Sequence, residues 1–244
     1  MKQRINITID LETASLCSDA AILSIAAQVF DPMAKVTDEK EAVRVFPPHT
    51  ANPSPTFEAT VNATSCITAG LHFEMETIKW WSERSPEAKA ALLATPTLLS
   101  TALEGLANWL DLLRSHFDGD LKIWCQGTDF DIPILANAYR ACGLPLPWRH
   151  TDVRDARTYV LEQLENLFGP EEKPYDRIPA MPEGEEWVHH SAFSDARRTA
   201  WNVAYVNNLL REKLVRVDKV VIKGSDIEKV SIIPNREIPT AKRR

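Results

Sequence analysis

The sequence predicts an α/β fold built on a five-stranded mixed sheet flanked by helices. Three observations carry this reading. Three strand-like runs come first, and helices with two more strands set between them follow. A meander whose later strands are joined through helices gives a mixed sheet. No glycine-rich turn follows the first strand, which excludes the dinucleotide-binding plan.

The first strand is residues 5–13, where Ile5, Ile7 and Ile9 alternate before Asp10-Leu11-Glu12-Thr13. Residues 17–21 read as a turn. Residues 21–31 are a long apolar run closed by Asp31-Pro32, a central strand paired with the first. Residues 41–46 alternate again and stop at Pro47-Pro48, which predicts the third strand of the meander. Residues 47–68, rich in Pro, Thr, Asn and Ser, read as a loop.

From residue 74 the period becomes helical. Residues 74–84 carry Ile78, Trp80 and Trp81. Ser85 and Pro86 form a helix start, as N-cap and first helical residue. In residues 97–117, Leu99, Leu103, Leu106, Leu110 and Leu113 recur at three- and four-residue steps, the stripe of an amphipathic helix. Residues 121–125 read as a short buried strand. A helix over 131–142 ends at Gly143, and residues 148–153 read as the last strand. Residues 154–168 are helical, 169–187 a long loop, and 190–214 a helix with Val203, Val206, Leu209 and Leu210 on its apolar side. Two short runs, 215–222 and 229–233, look strand-like before a disordered end. This divides the chain into a body, 1–214, and a C-terminal extension, 215–244.

With 244 residues, 44% hydrophobic and 25% charged, the composition is that of a globular protein with a sizeable core. No apolar run is long enough to cross a bilayer, and Met1-Lys2-Gln3-Arg4 leads straight into a strand, unlike a signal peptide. Cys17, Cys66, Cys125 and Cys142 are widely spaced, with no Cys-x-x-Cys pair. That spacing argues against a disulfide framework or a zinc site and fits a reducing cytoplasm. The net charge of −6 hides an asymmetry. Ten Lys and Arg against five Asp and Glu fall in residues 211–244, leaving 18 basic and 29 acidic residues in the remainder. A basic extension can help an acidic, cation-binding body approach a polyanion, or serve only solubility.

The chemistry gathers at three places. Residues i and i+2 of a strand share a side, so Asp10 and Glu12 face one spot while Leu11 faces away. Two such carboxylates repel unless a cation sits between them or one is protonated. In Gly127-Thr128-Asp129-Phe130-Asp131 a buried strand ends, the backbone turns and a helix begins. Asp129 is a candidate cap for that helix, which leaves Asp131 free. In His189-His190-Ser191-Ala192-Phe193-Ser194-Asp195, His190 precedes the last helix and Asp195 sits in its first turns, near enough to share a site.

The order Asp-x-Glu-Thr, Phe-Asp, then His with four residues before Asp resembles the DEDD superfamily of 3′–5′ exonucleases, in its histidine-containing branch. The resemblance covers residues 5–214. Asp10-Leu11-Glu12-Thr13, the run 19–25, Ile78-Lys79-Trp80-Trp81 and the segment 124–131 look closest to RNase AS-like exoribonucleases and similar phage-encoded exonucleases. One departure is Gln126-Gly127, where many relatives have His-Asn ahead of Phe-Asp.

The resemblance implies a ribonuclease H-like sheet and metal-dependent hydrolysis of phosphodiester bonds from the 3′ ends of single-stranded nucleic acid. RNA is favoured over DNA, with nucleoside monophosphates as products. It also implies two Mg²⁺ ions, with Mn²⁺ as a substitute. Asp10 would bridge them, Glu12 and Asp195 would serve the ion that activates water, and Asp131 would support the other. His190 would take the proton from water. Leu11, Thr13 and Phe130 would meet the terminal nucleotide. Trp80 and Trp81 fit core packing or base stacking, and Arg197 and Arg198 fit a phosphate contact or a solvated face. Relatives of this kind are often homodimers. The opposing reading is a non-catalytic binding module on the same fold, which would be expected to lose a carboxylate; none is missing.

Overall fold

The computed structural model describes residues 3–36, 45–48, 50–93, 95–181 and 188–215. Its sheet has five strands in the order β3-β2-β1-β4-β5. The central strand β1 (Gln3–Thr13) pairs antiparallel with β2 (Ile22–Phe30), which pairs antiparallel with β3 (Thr56–Thr60). On its other side β1 pairs parallel with β4 (Gly119–Cys125), which pairs parallel with β5 (Val153–Asp155). This is the mixed sheet the sequence predicts.

The third strand differs from expectation. Residues 41–46 lie outside the described residues except for Val45 and Phe46, and β3 falls inside the segment expected to be a loop. The strand is short and half-exposed, and proline-rich flanks mask its Thr-Phe-Glu-Ala-Thr alternation. Such blunted strands suit a sheet edge. The same segment holds the short helix α1 (Ala63–Thr68), capped by Asn62, whose side chain accepts the Ser65 N–H at 3.2 Å.

Two helical layers cover the sheet. Helices α2 (Met75–Ser82) and α3 (Pro86–Ala91) lead to α4 (Leu99–Phe117); α3 begins at the Ser85 cap and Pro86 as predicted. Leu99, Leu103, Leu106, Leu110 and Leu113 of α4 pack with Ile5, Ile7 and Ile9 of β1. Burying each such side chain contributes roughly 1.5–3 kcal/mol. A Cβ on Gly105 would lie 3.3 Å from the Phe57 ring, so this glycine lets α4 lie close to β3. Helix α5 (Asp131–Ala141) adds Ile134, Leu135 and Tyr139 to the same layer.

The opposite face carries α6 (Ala156–Phe168) and α7 (Ala192–Val215), which pack Val160, Leu164, Trp201, Val203 and Val206 with Phe30 and Trp124. The last strand was expected at 148–153 but begins at Val153. Residues 150–152 instead form one 3₁₀ turn, because the Arg149 N–H and guanidinium both bind the buried Asp152 carboxylate, at 2.9 and 2.8 Å. That local clamp overrides the strand propensity of the stretch. Among the described residues no helix is long and apolar enough to cross a membrane. The strand-like runs of the C-terminal extension lie outside the described residues, apart from Val215, which ends α7.

Candidate active site

Parallel pairing puts the carboxyl ends of β1 and β4 at one edge of the sheet, where α/β proteins place their sites. The ladder between them ends at Thr8 and Trp124. Asp10, Leu11 and Glu12 therefore run past the end of β4, where the chain turns away through Gly127. A Cβ on Gly127 would stand 2.9 Å from an Asp129 carboxylate oxygen and 3.4 Å from the Arg157 guanidinium, so glycine lets both side-chain ends approach the turn.

The turn delivers Asp131 to the first position of α5. Phe130 occupies the cap position and no side chain caps the helix, so Asp129 does not take the capping role expected of it. Asp129 is exposed, whereas Asp131 is buried, at 4% exposure. The Asp131 carboxylate accepts the backbone N–H of Leu11, between the two strand carboxylates. The first turns of α7 bring in Asp195. Ligand-capable oxygens of Asp10, Glu12 and Asp195 lie within 4.8 Å of one another, and Asp195 shares a second such group with His189 and His190. The structure thus brings together all five residues that the sequence singled out.

The electrostatics of this cluster are lopsided. Burial, then Asp131, Glu12 and Asp195, hold Asp10 well above the usual carboxylate range. Burial, then Asp195 and Asp131, push Glu12 up to about 8. Burial pushes Asp131 up to about 7 against the pull of the Leu11 amide and Arg157. Crowded carboxyl groups of this kind keep their protons or take a cation. Their oxygen-only donor set suits a hard divalent ion.

His190 is held from several sides. Its backbone sits in the left-handed region, at φ 63, uncommon for a residue with a Cβ. Its ring stacks on His189 at 3.9 Å and meets the Trp80 ring edge-on at 4.7 Å. Burial first, then His189, keep the imidazole below its ordinary value of 6.5; Arg84 adds to this and Asp195 opposes it.

A cavity of about 710 Å³ is lined by Asp10, Asp131, His190 and Asp195. A neighbouring cavity of about 520 Å³ is lined by Glu12, Thr13, Trp80 and Trp81. Leu11 and Phe130 border both. Leu11 packs with Ile5, Ile7 and Ile9 as alternation requires. It still reaches the cavities, contrary to the expectation that it faces away, because no ladder partner of β4 covers this end of β1. The tryptophans divide: Trp81 is buried at 6% and donates its ring N–H to the Thr13 carbonyl at 2.9 Å, while Trp80 is 38% exposed. The arginines divide too. Arg198 lines the larger cavity, but Arg197 is buried, 4.1 Å from the Phe46 ring, so no phosphate contact is read for it.

Sequence reasoning missed other residues that line the larger cavity with the carboxylates, Arg157, Tyr175 and Asn202. Gln126, the departure from the family pattern, donates to the Tyr175 hydroxyl at 3.1 Å and accepts from Thr199 at 3.3 Å. It ties the end of β4 to α7. The histidine-free segment was the one signal for this, while Arg157 sits in an ordinary amphipathic helix and leaves no signal.

Comparison with known proteins places the chain in a family and a fold. A family model described as a 3′–5′ exoribonuclease Rv2179c-like domain matches residues 5–207. An exodeoxyribonuclease of Enterobacteria phage T4 is 29% identical over 141 residues, 54% of each chain, so the match spans about half the length of that relative. Cell-death related nuclease 4 (CRN-4) superposes with a TM-score of 0.51 at 12% identity, over 87% of this chain and 66% of that one. The nuclease domain of 3′hExo, a DEDDh family member solved with rAMP, superposes with a TM-score of 0.50 at 11% identity, over 86% and 92%. The two structures share the fold, and over most of its length the chain belongs to the Rv2179c-like 3′–5′ exoribonuclease domain family.

Proposed function

We propose that the protein is a metal-dependent 3′–5′ exonuclease that shortens single-stranded nucleic acid from its 3′ end and releases nucleoside monophosphates. The observation that carries this reading is the convergence of Asp10, Glu12 and Asp195 oxygens within 4.8 Å, with His190 beside Asp195. Asp10, Glu12, Asp131 and Asp195 would hold two Mg²⁺ ions, with Mn²⁺ as a substitute for the same oxygen ligands. Bound there, the metals would offset phosphate charge, acidify the attacking water and stabilise the leaving 3′ oxygen.

The protein's own groups supply the rest. His190, kept neutral by burial, accepts the proton of the attacking water. The nearby Asp195 charge favours the imidazolium once it forms. Arg157 and Arg198 give the lining of the cavity positive charge for the phosphate chain. Leu11 and Phe130, at the junction of the two cavities, pack on the terminal sugar and base, with Thr13 behind them.

RNA is the favoured substrate, supported by the family description. Single-stranded DNA is the second reading, supported by the phage relative. Matched 5′-labelled RNA and DNA oligomers, incubated with Mg²⁺, Mn²⁺ or EDTA, test both points. Laddering from the 3′ end that EDTA abolishes is expected, faster on RNA. No shortening of either polymer with either metal would overturn the proposal.

A further inference from the structure

We propose that Cys17, Asp19 and His72 form a second metal site, for a thiophilic divalent cation of the Zn²⁺ class and separate from the oxygen-only centre. Ligand atoms of the three side chains lie within 4.8 Å of one another, and all three residues are exposed to solvent. Cys17 and Asp19 sit in the turn between β1 and β2, and His72 sits in the segment before α2.

The backbone holds these two segments in register. The His72 N–H donates to the Asp19 carbonyl at 2.9 Å, and the Ala21 N–H donates to the His72 carbonyl at 2.8 Å. The turn closes through the Ala20 N–H on the Cys17 carbonyl at 3.0 Å. The donors therefore stand on a fixed frame rather than on a loose loop.

The fully buried Ser15 organises the donors from below. Its hydroxyl lies 2.7 Å from Nδ1 of His72 and accepts the Cys17 N–H at 3.1 Å. Metal-binding histidines commonly have one ring nitrogen fixed by such a partner while the other binds the metal. With Nδ1 engaged by Ser15, Nε2 is the nitrogen open to a cation. Thiolate, imidazole and carboxylate together select Zn²⁺-like ions over Mg²⁺. Three protein ligands leave a fourth, solvent-facing position for water. Binding displaces the thiol proton, so affinity rises with pH.

The cysteine spacing alone argued against zinc, because the histidine lies 57 positions beyond Ser15 and only the fold brings it in. Occupancy would clamp the turn after β1 to the segment before α2. That connection also seats α2: the Glu74 N–H donates to the Ala14 carbonyl, and Trp81 donates to Thr13.

The test is a Co²⁺ titration of the full chain in excess Mg²⁺, which occupies the carboxylates. A near-ultraviolet thiolate-to-cobalt charge-transfer band is expected, together with a rise in melting temperature when Zn²⁺ replaces Co²⁺. Cys17→Ser and His72→Ala should each abolish the band and diminish the rise in melting temperature, whereas Asp10→Asn and Cys142→Ser should keep both. Cys17 and His72 are both exposed, and circular dichroism verifies the fold of each variant, above all of His72→Ala, which removes a partner of the buried Ser15 hydroxyl. Absence of the band in the parent protein, or its persistence in Cys17→Ser or His72→Ala, would overturn the proposal.

Discussion

The ring of Trp80 stands edge-on to that of His190, 4.7 Å between centroids at an interplanar angle of 76°. Behind it, the Arg84 guanidinium lies 4.1 Å over the same indole. Trp80 is thus the wall against which a histidine with strained backbone rests. Because it is partly exposed, its removal costs little stability. Trp80→Ala is expected to lower the single-turnover rate roughly 10-fold or more, as a misplaced general base would. It should also shift the acid limb of the pH–rate profile upward, because His190 regains water and its lowered pKa relaxes. Trp80→Phe should recover most of the rate. An alanine variant with unchanged rate and pH profile would remove Trp80 from the positioning role.

Its neighbour has the opposite assignment. Trp81 is buried and satisfies the Thr13 carbonyl at the end of β1. Trp81→Ala is expected to destabilise the protein by about 3–5 kcal/mol, read by denaturant unfolding. A loss of less than about 1 kcal/mol would mean that the site can close over the cavity, and that Trp81 does not anchor the strand end.

Much of this arrangement was legible in the sequence because strong local patterns coincide with it. The isoleucine alternation of β1 and the leucine stripe of α4 are both core-facing, so burial writes them directly into residue choice. Asp10 and Glu12 needed only the two-residue period of a strand. The failures have one cause in common. β3 is held by its pairing with β2 and by Phe57 against Trp109, contacts made far along the chain. The turn at 150–152 is set by one arginine–aspartate clamp. Arg157 and Tyr175 reach the cavity through tertiary packing that no periodicity records.

Arg157 belongs to the wall of the cavity, so its charge should act on the approach of the polyanion more than on bond cleavage. Arg157→Ala is expected to raise KM several-fold with a smaller change in kcat. The slope of log KM against log salt should fall by about 0.7, the loss of one contact to a single-stranded phosphate chain. A change in kcat alone, with the salt slope intact, would place Arg157 outside the phosphate path.

The crowding of acids around Asp10 exchanges stability for function. Glu12 is pushed up to about 8 by burial and its acidic neighbours, so ionising it in the metal-free fold is unfavourable. Glu12→Gln keeps the shape and removes that charge. At pH 8 without metal, the variant is expected to be more stable than the parent by roughly 1–3 kcal/mol, at the scale of 1.36 kcal/mol for each unit of pKa difference. It should also lose most Mg²⁺-dependent hydrolysis. A variant less stable than its parent in EDTA would show that the carboxylates do not repel one another in the folded chain.

The same charges set the dependence on pH. A carboxyl group whose folded pKa lies above its unfolded value binds its proton more tightly in the native state. Folding then takes up protons, and stability falls as pH rises. For Glu12 and Asp131 the unfolded values are 4.5 and 3.8, and the folded ones about 8 and about 7. The penalty is therefore absent in acid, grows from about pH 4 and is complete above about pH 8. Bound Mg²⁺ would cancel it by replacing the protons, so the Mg²⁺-induced rise in melting temperature should be small near pH 5 and largest near pH 8. Calorimetric titration in buffers of different ionisation enthalpy should show protons released on Mg²⁺ binding near pH 7. A Mg²⁺ effect that stays constant across this range, with no proton release, would mean that the metal does not bind among these carboxylates.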